Sequence, residues 1–224
     1  MKNLIFVFAL VFTTILQAQE PITKTVGEFT ALKAYDLINL ELIKSKENKI
    51  VISGKNTEDV VVLNKNGTLK IRMKLEKIFD GNNTEVKLYF TTVDIIDANE
   101  GAYISSNHVF KQYELDLRAQ EGGQIKLKVD TKVNEVRADS GASIELSGKT
   151  RNQDIRISTG GIFNGENLES EATNVTIKAG GEADVKADKI LDIKITAGGD
   201  VYIHNKPEEV KERTTLGGRI KYVE

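Results

Sequence analysis

The sequence predicts an all-β chain wound as a β-solenoid with coils of about 19–20 residues. Three observations carry the prediction. A Gly-Gly or Gly-Ala pair recurs at Gly101-Ala102, Gly122-Gly123, Gly141-Ala142, Gly160-Gly161, Gly180-Gly181, Gly198-Gly199 and Gly217-Gly218, with the first glycines 21, 19, 19, 20, 18 and 19 residues apart. Alternate positions around each pair are apolar, as in strands with one face turned inward. No unit has a helical period. A unit this short cannot bury its own apolar face, but stacked units can.

Residues 1–18 read as a secretory signal peptide: Lys2 and Asn3, then the 13-residue apolar run Leu4 to Leu16, then Gln17-Ala18-Gln19, with cleavage after Ala18. The run is short for a bilayer span, and no later stretch is long enough. The expected mature protein is therefore exported, to the periplasm, cell surface or beyond. The chain has no cysteine, which closes the route to a lipid-anchored lipoprotein and leaves stability to the core and the backbone ladder.

Residues 19–224 read as a single domain, with less regular coils over 19–92 and regular repeats over 93–224. In the first part, strands are expected at 36–43, 49–53, 60–63, 68–74 and 85–92, with a tight turn at Asn66-Gly67 and a short irregular or helical excursion at 75–79. These strands are expected to continue the solenoid as its first coils, the alternative being a β-layer that caps it. In the second part, the position three residues after each first glycine reads Ile104, Ile125, Ile144, Phe163, Ala183, Val201 and Ile220. The position five before reads Ile96, Leu117, Val136, Ile155, Val175, Ile193 and then Glu212. The glycines themselves are expected at sharp corners, where positive φ is needed.

Two outward columns carry charge. Six residues before the glycine come Asp116, Glu135, Asp154, Asn174 and Asp192; four before it come Arg118, Arg137, Arg156, Thr176 and Lys194. Positions two apart on a strand share a face, and stacking sets like charges about 5 Å apart within a column. An acid–base ladder on one outer face is therefore expected, each column offsetting the repulsion in its neighbour. Asp116, Arg118, Glu135, Arg137, Asp154 and Arg156 are the candidate binding face, with Tyr103 and Tyr202 as exposed aromatics able to stack on a sugar or anchor a partner.

Little else suggests chemistry. The 31 basic and 33 acidic residues give a net charge of −2, no basis for nucleic-acid binding. His108 and His204 fall several coils apart, so no shared metal site is expected, and no cofactor motif is present. Asp80-Gly81-Asn82-Asn83 has oxygen ligands but lacks the spaced carboxylates of a calcium loop, and reads as a turn. The acids Glu182, Asp184 and Asp200 keep open a polysaccharide-processing enzyme, since glycoside hydrolysis needs two nearby carboxyls. Arginine neighbours beside the other acids favour ionised carboxylates over a proton donor.

Several stretches resemble the bacterial head GIN domain family of adhesins (DUF2807), common in Bacteroidetes. They are Gly67 to Ile71, the Ala138 to Ala142 type of segment, Ala197 to Tyr202, and Asn205 to Val210 followed by Gly217 to Ile220. The resemblance runs from about Phe29 to Val223; Gly160 and Gly180 depart from it by following Thr159 and Ala179 where the family often has Ser-Gly. It implies a right-handed parallel β-helix at or outside the cell envelope, with no catalytic motif to carry over. The expected function is an exported, non-catalytic binding or scaffold module contacting a surface protein or glycan. A homo-oligomer is also expected, because the last coil, 219–224, has no successor to cover its strand edges; the alternative cover is a loop such as Asn205 to Arg213.

Overall fold

The computed structural model describes residues 20–223; the expected signal peptide lies outside them. The described chain is nearly all strand, wound as a parallel β-solenoid of about seven turns. It begins with β1 (Ile22–Thr25), β2 (Ala31–Ala34), β3 (Asn39–Lys44) and β4 (Lys49–Gly54), then β5 (Val60–Lys65), β6 (Thr68–Met73), β7 (Thr84–Phe90) and β8 (Ile95–Ala98). Four long strands follow, β9 (Tyr103–Ala119), β10 (Gln124–Ala138), β11 (Ser143–Ile157) and β12 (Ile162–Ile177). The last coils are split into β13 (Glu182–Val185), β14 (Ile190–Ala197), β15 (Asp200–Ile203), β16 (Glu209–Leu216) and β17 (Arg219–Tyr222). Short 3-10 turns sit at Thr57–Asp59 and Leu75–Lys77, the second where an excursion is expected.

The repeat frame sets the register. Ile96, Leu117, Val136, Ile155, Val175 and Ile193 are direct partners from coil to coil, and all are buried. The column continues into the N-terminal part through Leu32 and Leu69. Leu40 and Val86 likewise extend the column that begins at Ile104. Each such side chain contributes about 1.5–3 kcal/mol by leaving water, so these columns hold the fold.

The glycine pair has two corner forms. In the earlier coils the residue before the glycine and the glycine itself both take left-handed φ, as at Ser140 (50°) and Gly141 (71°), and Ala142 N–H closes the turn onto Asp139 O at 3.1 Å. From Gly180 onward both glycines take positive φ, 65° and 122° at Gly180-Gly181. One corner lacks glycine altogether. Asp36 and Leu37, expected to open a strand, take φ 60° and 61°, and the strand starts only at Asn39.

The N-terminal coils are not stacked in chain order. β2 lies between β6 and β8, and β3 between β7 and β9. The first coil is thus inserted between the second and the third. Antiparallel strands finish that end: β5 on β6, β4 on β7 and β1 on β4. The N-terminal part is therefore both coil and cap. The Asn66-Gly67 turn, with left-handed φ at both residues, reverses β5 into β6 and sets up the cap.

A buried polar seam runs beside the aliphatic columns. Thr131, Thr150 and Ser170, and beside them Asn134, Gln153 and Thr173, point inward. Thr131 Oγ1 bonds Thr150 Oγ1 at 3.0 Å, Gln153 Nε2 donates to Thr173 Oγ1 at 2.9 Å, and Ser170 bonds Thr173 at 2.6 Å. These bonds offset part of the cost of burying these groups, while Asn134 Nδ2 and Gln153 Oε1 find no partner among the described residues.

One corner stores charge strain. Asp36 is buried; its Oδ2 accepts Met73 N–H at 2.9 Å, and Glu100 and Glu121 occupy equivalent corner positions in the next coils. Burial, then the Asp36 carboxyl, then Glu121 push the Glu100 carboxyl above its ordinary value. The charged form is thus disfavoured in the folded state. Glu100's contribution is fully present below its unfolded value and is lost as pH rises through the folded one. Glu100→Gln is expected to raise the thermal midpoint at pH 7, with the gain fading below about pH 4. A pH-independent difference between the two proteins would refute this origin.

Candidate functional site

The coils bring six of the expected site residues together on one face. Asp116, Glu135 and Asp154 are direct partners in one column, and Arg118, Arg137 and Arg156 in the next. Within a strand, Arg118 makes a two-pronged pair with Asp116, Arg137 reaches Glu135 at 3.2 Å and Arg156 reaches Asp154 at 3.1 Å. Between coils, Arg156 also approaches Glu135 at 3.8 Å. The Asp116 hydrogen bond holds the Arg118 guanidinium above its ordinary value, with burial opposing. Half-exposed pairs of this kind contribute about 0.2–1 kcal/mol each. The ladder therefore adds little stability beside the core and leaves a regular, locally neutralised charged face.

The face is longer than the six residues. Lys33 bonds the buried Asp97 at 2.7 Å, and Asp97 is the partner of Arg118 one coil earlier. At the other end Arg213 reaches Asp192 at 2.6 Å. Asp97 and Arg213 hold the basic column's place in the repeat frame, so counting back four from Gly101 and Gly217 would have found them. Lys33 had no glycine pair to count from. The ladder is interrupted at Asn174 and Thr176, which pair with Asp154 and Arg156.

Tyr103 and Tyr202 are not part of this face. They lie after the corner, in adjacent columns and five strands apart: Tyr103 pairs with Gln124, and Tyr202 with Asp184. Lys221 Nζ covers the Tyr202 ring at 5.5 Å. The two rings do not form a common platform.

The carboxylates around Tyr202 are already engaged. Asp200 is bonded twice by Arg219 at 2.5 Å, which holds its carboxyl below the ordinary value against the effect of burial. Asp184 Oδ1 and His204 Nε2 lie 2.6 Å apart, a pair the sequence frame did not reveal. Glu182 is the direct strand partner of Asp200. A hydrolase would need one protonated carboxyl here, and Arg219 opposes that at Asp200. Among the described residues, no three His, Cys, Asp or Glu side chains are grouped to hold a metal ion.

The sequence model of a family described as "Putative auto-transporter adhesin, head GIN domain" matches residues 28–207. The chain belongs to the head GIN domain family. Solved structures share the solenoid. A "putative adhesin" from Bacteroides fragilis superposes with a TM-score of 0.83 at 17% identity, covering 92% of this chain and 98% of that one. One from Parabacteroides merdae gives 0.73 at 17% identity, covering 92% and 96%. A protein from Parabacteroides distasonis titled "Putative lipid binding protein" gives 0.67 at 16% identity, covering 92% and 98%. At these identities the likeness concerns the fold alone. No curated protein matches the sequence. Among the described residues of this head GIN domain, no helix is long and apolar enough to cross a membrane.

Proposed function

We propose that this head GIN domain is an exported, non-catalytic binding or scaffold module. It acts at the cell envelope or surface by contact along its charged face with a surface protein or glycan. The observation that carries this reading is the in-register stack of Asp116/Arg118, Glu135/Arg137 and Asp154/Arg156 over consecutive coils. A flat face with a strand-spaced repeat suits an elongated partner with matching charge, giving specificity more than raw affinity. The adhesin description of the family supports the same class.

The test is a glycan and surface-protein array probed with residues 19–224. A bound partner should be lost in the Arg118→Ala/Arg137→Ala/Arg156→Ala variant, whose far-ultraviolet spectrum should be unchanged. Retained binding by that variant would move the site elsewhere. Release of reducing ends from an envelope polysaccharide, abolished by Asp200→Ala, would replace the reading with an enzyme.

A further inference from the structure

β9 pairs with β10 along most of its length, but on its other side it pairs only near its ends. β3 meets it from Tyr103 to Ser105 and β8 from Asp116 to Ala119. Between those stretches, among the described residues, this edge of β9 has no partner strand. β3 runs on to Lys44 against β7, but its register with β9 ends at Glu41–Ser105, where β9 bulges against β10 between Ser105 and Val109 and Ser106 Oγ accepts His108 N–H. The regular part of the open edge therefore begins at Val109.

Side chains close the ends of the gap. Ser106 Oγ donates to Leu42 O at 2.6 Å, and Gln112 Nε2 donates to Val93 O at 3.1 Å. Between them lies a groove of about 660 Å³. Beneath it the rings of Phe90 and Phe110 stack at 5.5 Å and 8°, with His108 edge-on to both. This packing makes the groove a fixed feature of the fold. Its rim is basic. Lys44 Nζ is held over the Phe90 ring at 5.3 Å and donates to Thr91 O. Lys111 stands exposed on the open stretch of β9. Neither lysine has an ion-pair partner among the described residues, and Asp94 is the one acid in the lining. Burial, then the charges of Lys44 and Lys111, hold His108 below its ordinary value.

We propose that this groove binds an extended acidic peptide segment, which adds as a strand to residues 109–111 of β9 and sets carboxylates against Lys44 and Lys111. An open strand edge offers backbone donors and acceptors at the peptide repeat. Residues 109–111 offer about 10 Å of it. A sugar chain could meet the lysines but could not match that alternation. None of these residues belongs to the paired columns, so the site goes beyond the reading given for the charged face.

The probe is a fluorescein-labelled five-residue peptide alternating glutamate and valine, beside its lysine–valine counterpart and an oligogalacturonate. The partner is the chain from residue 19 to 224. The glutamate peptide should bind saturably by anisotropy, lose affinity with added salt, and slow amide exchange at residues 109–111. The Lys44→Glu/Lys111→Glu variant should bind it at least about tenfold more weakly and should now take the lysine peptide. That exchange of preference cannot come from misfolding. The proposal is overturned if the glutamate peptide does not bind, if both protein forms bind it equally, if protection appears away from 109–111, or if only oligogalacturonate occupies the groove. The Arg118→Ala/Arg137→Ala/Arg156→Ala variant should bind the peptide normally, so failure here and failure of the charged-face reading are separable.

Discussion

Gly161→Ala is expected to cost the fold far more than Gly160→Ala, one residue earlier. At Gly160 the constraint is the backbone angle alone. Its φ is +75°, and an added Cβ would meet nothing within 4 Å. An alanine there carries the left-handed penalty of about 1–2 kcal/mol. At Gly161 an added Cβ would stand 2.2 Å from Ala138 O and 2.5 Å from its carbonyl carbon. Those atoms belong to the previous coil and are fixed by the ladder, since Ser158 N–H bonds Ala138 O at 3.1 Å. Relief requires the two coils to separate, so a loss of about 3 kcal/mol or more is expected. Urea midpoints of the two variants would rank them, and equal losses would contradict a steric origin at Gly161. Ala102 and Ala142 hold the second place in other corners and are fully buried there, so the requirement belongs to particular coils and not to the pair as a motif.

That distinction marks how far the sequence could be read. Spacing alone gave the coils their register, because a 19-residue recurrence brings like positions into contact whatever the corner looks like. The aliphatic column from Ile96 to Ile193 and the Asp/Arg columns follow from counting. Recurrence cannot say which glycine of a pair is constrained by φ and which by contact. Nor could it locate coils that lack the pair. The Tyr35 to Ile38 corner uses Asp36 and Leu37 in left-handed backbone, which a leucine rarely adopts, so a strand was expected where the chain turns. The insertion of β2 and β3 between β6/β7 and β8/β9 is a long-range pairing with no local signal. The groove beside residues 107–111 goes with that pairing and with the bulge of β9 after Ser105, and was equally hidden. The buried seam was missed for another reason. Thr131, Asn134 and Gln153 are polar types that read as outward residues, and only the contacts inside the solenoid reveal that they are buried and bonded there.

Phe163→Ala is expected to be the most damaging core truncation, at about 3–5 kcal/mol. Phe163 is fully buried in the column that runs from Ile144 to Ala183. Its neighbours are small where it is large. Ala183 is its partner in the next coil, and a Cβ on Gly165 would lie 2.5 Å from Phe163 Cε1. One ring thus fills volume that its next-coil partner and its own strand leave empty, which is how the column keeps its density while residue sizes vary. Removing it leaves a void that cannot easily close. β12 is held between β11 on one side and β13 on the other, both in parallel register at this level, and collapse would have to break those ladders. The cost should therefore sit near the upper end of the range. Equilibrium unfolding in urea gives the loss, and benzene or xenon should restore part of it by occupying the cavity. The compensating pair Phe163→Ile/Ala183→Val should recover more than Phe163→Ile alone, because the second change returns volume to the same column. A loss for Phe163→Ala below about 1 kcal/mol, within the range of a tolerated swap, would mean that the coils move to fill the space and that the column is not the rigid element described.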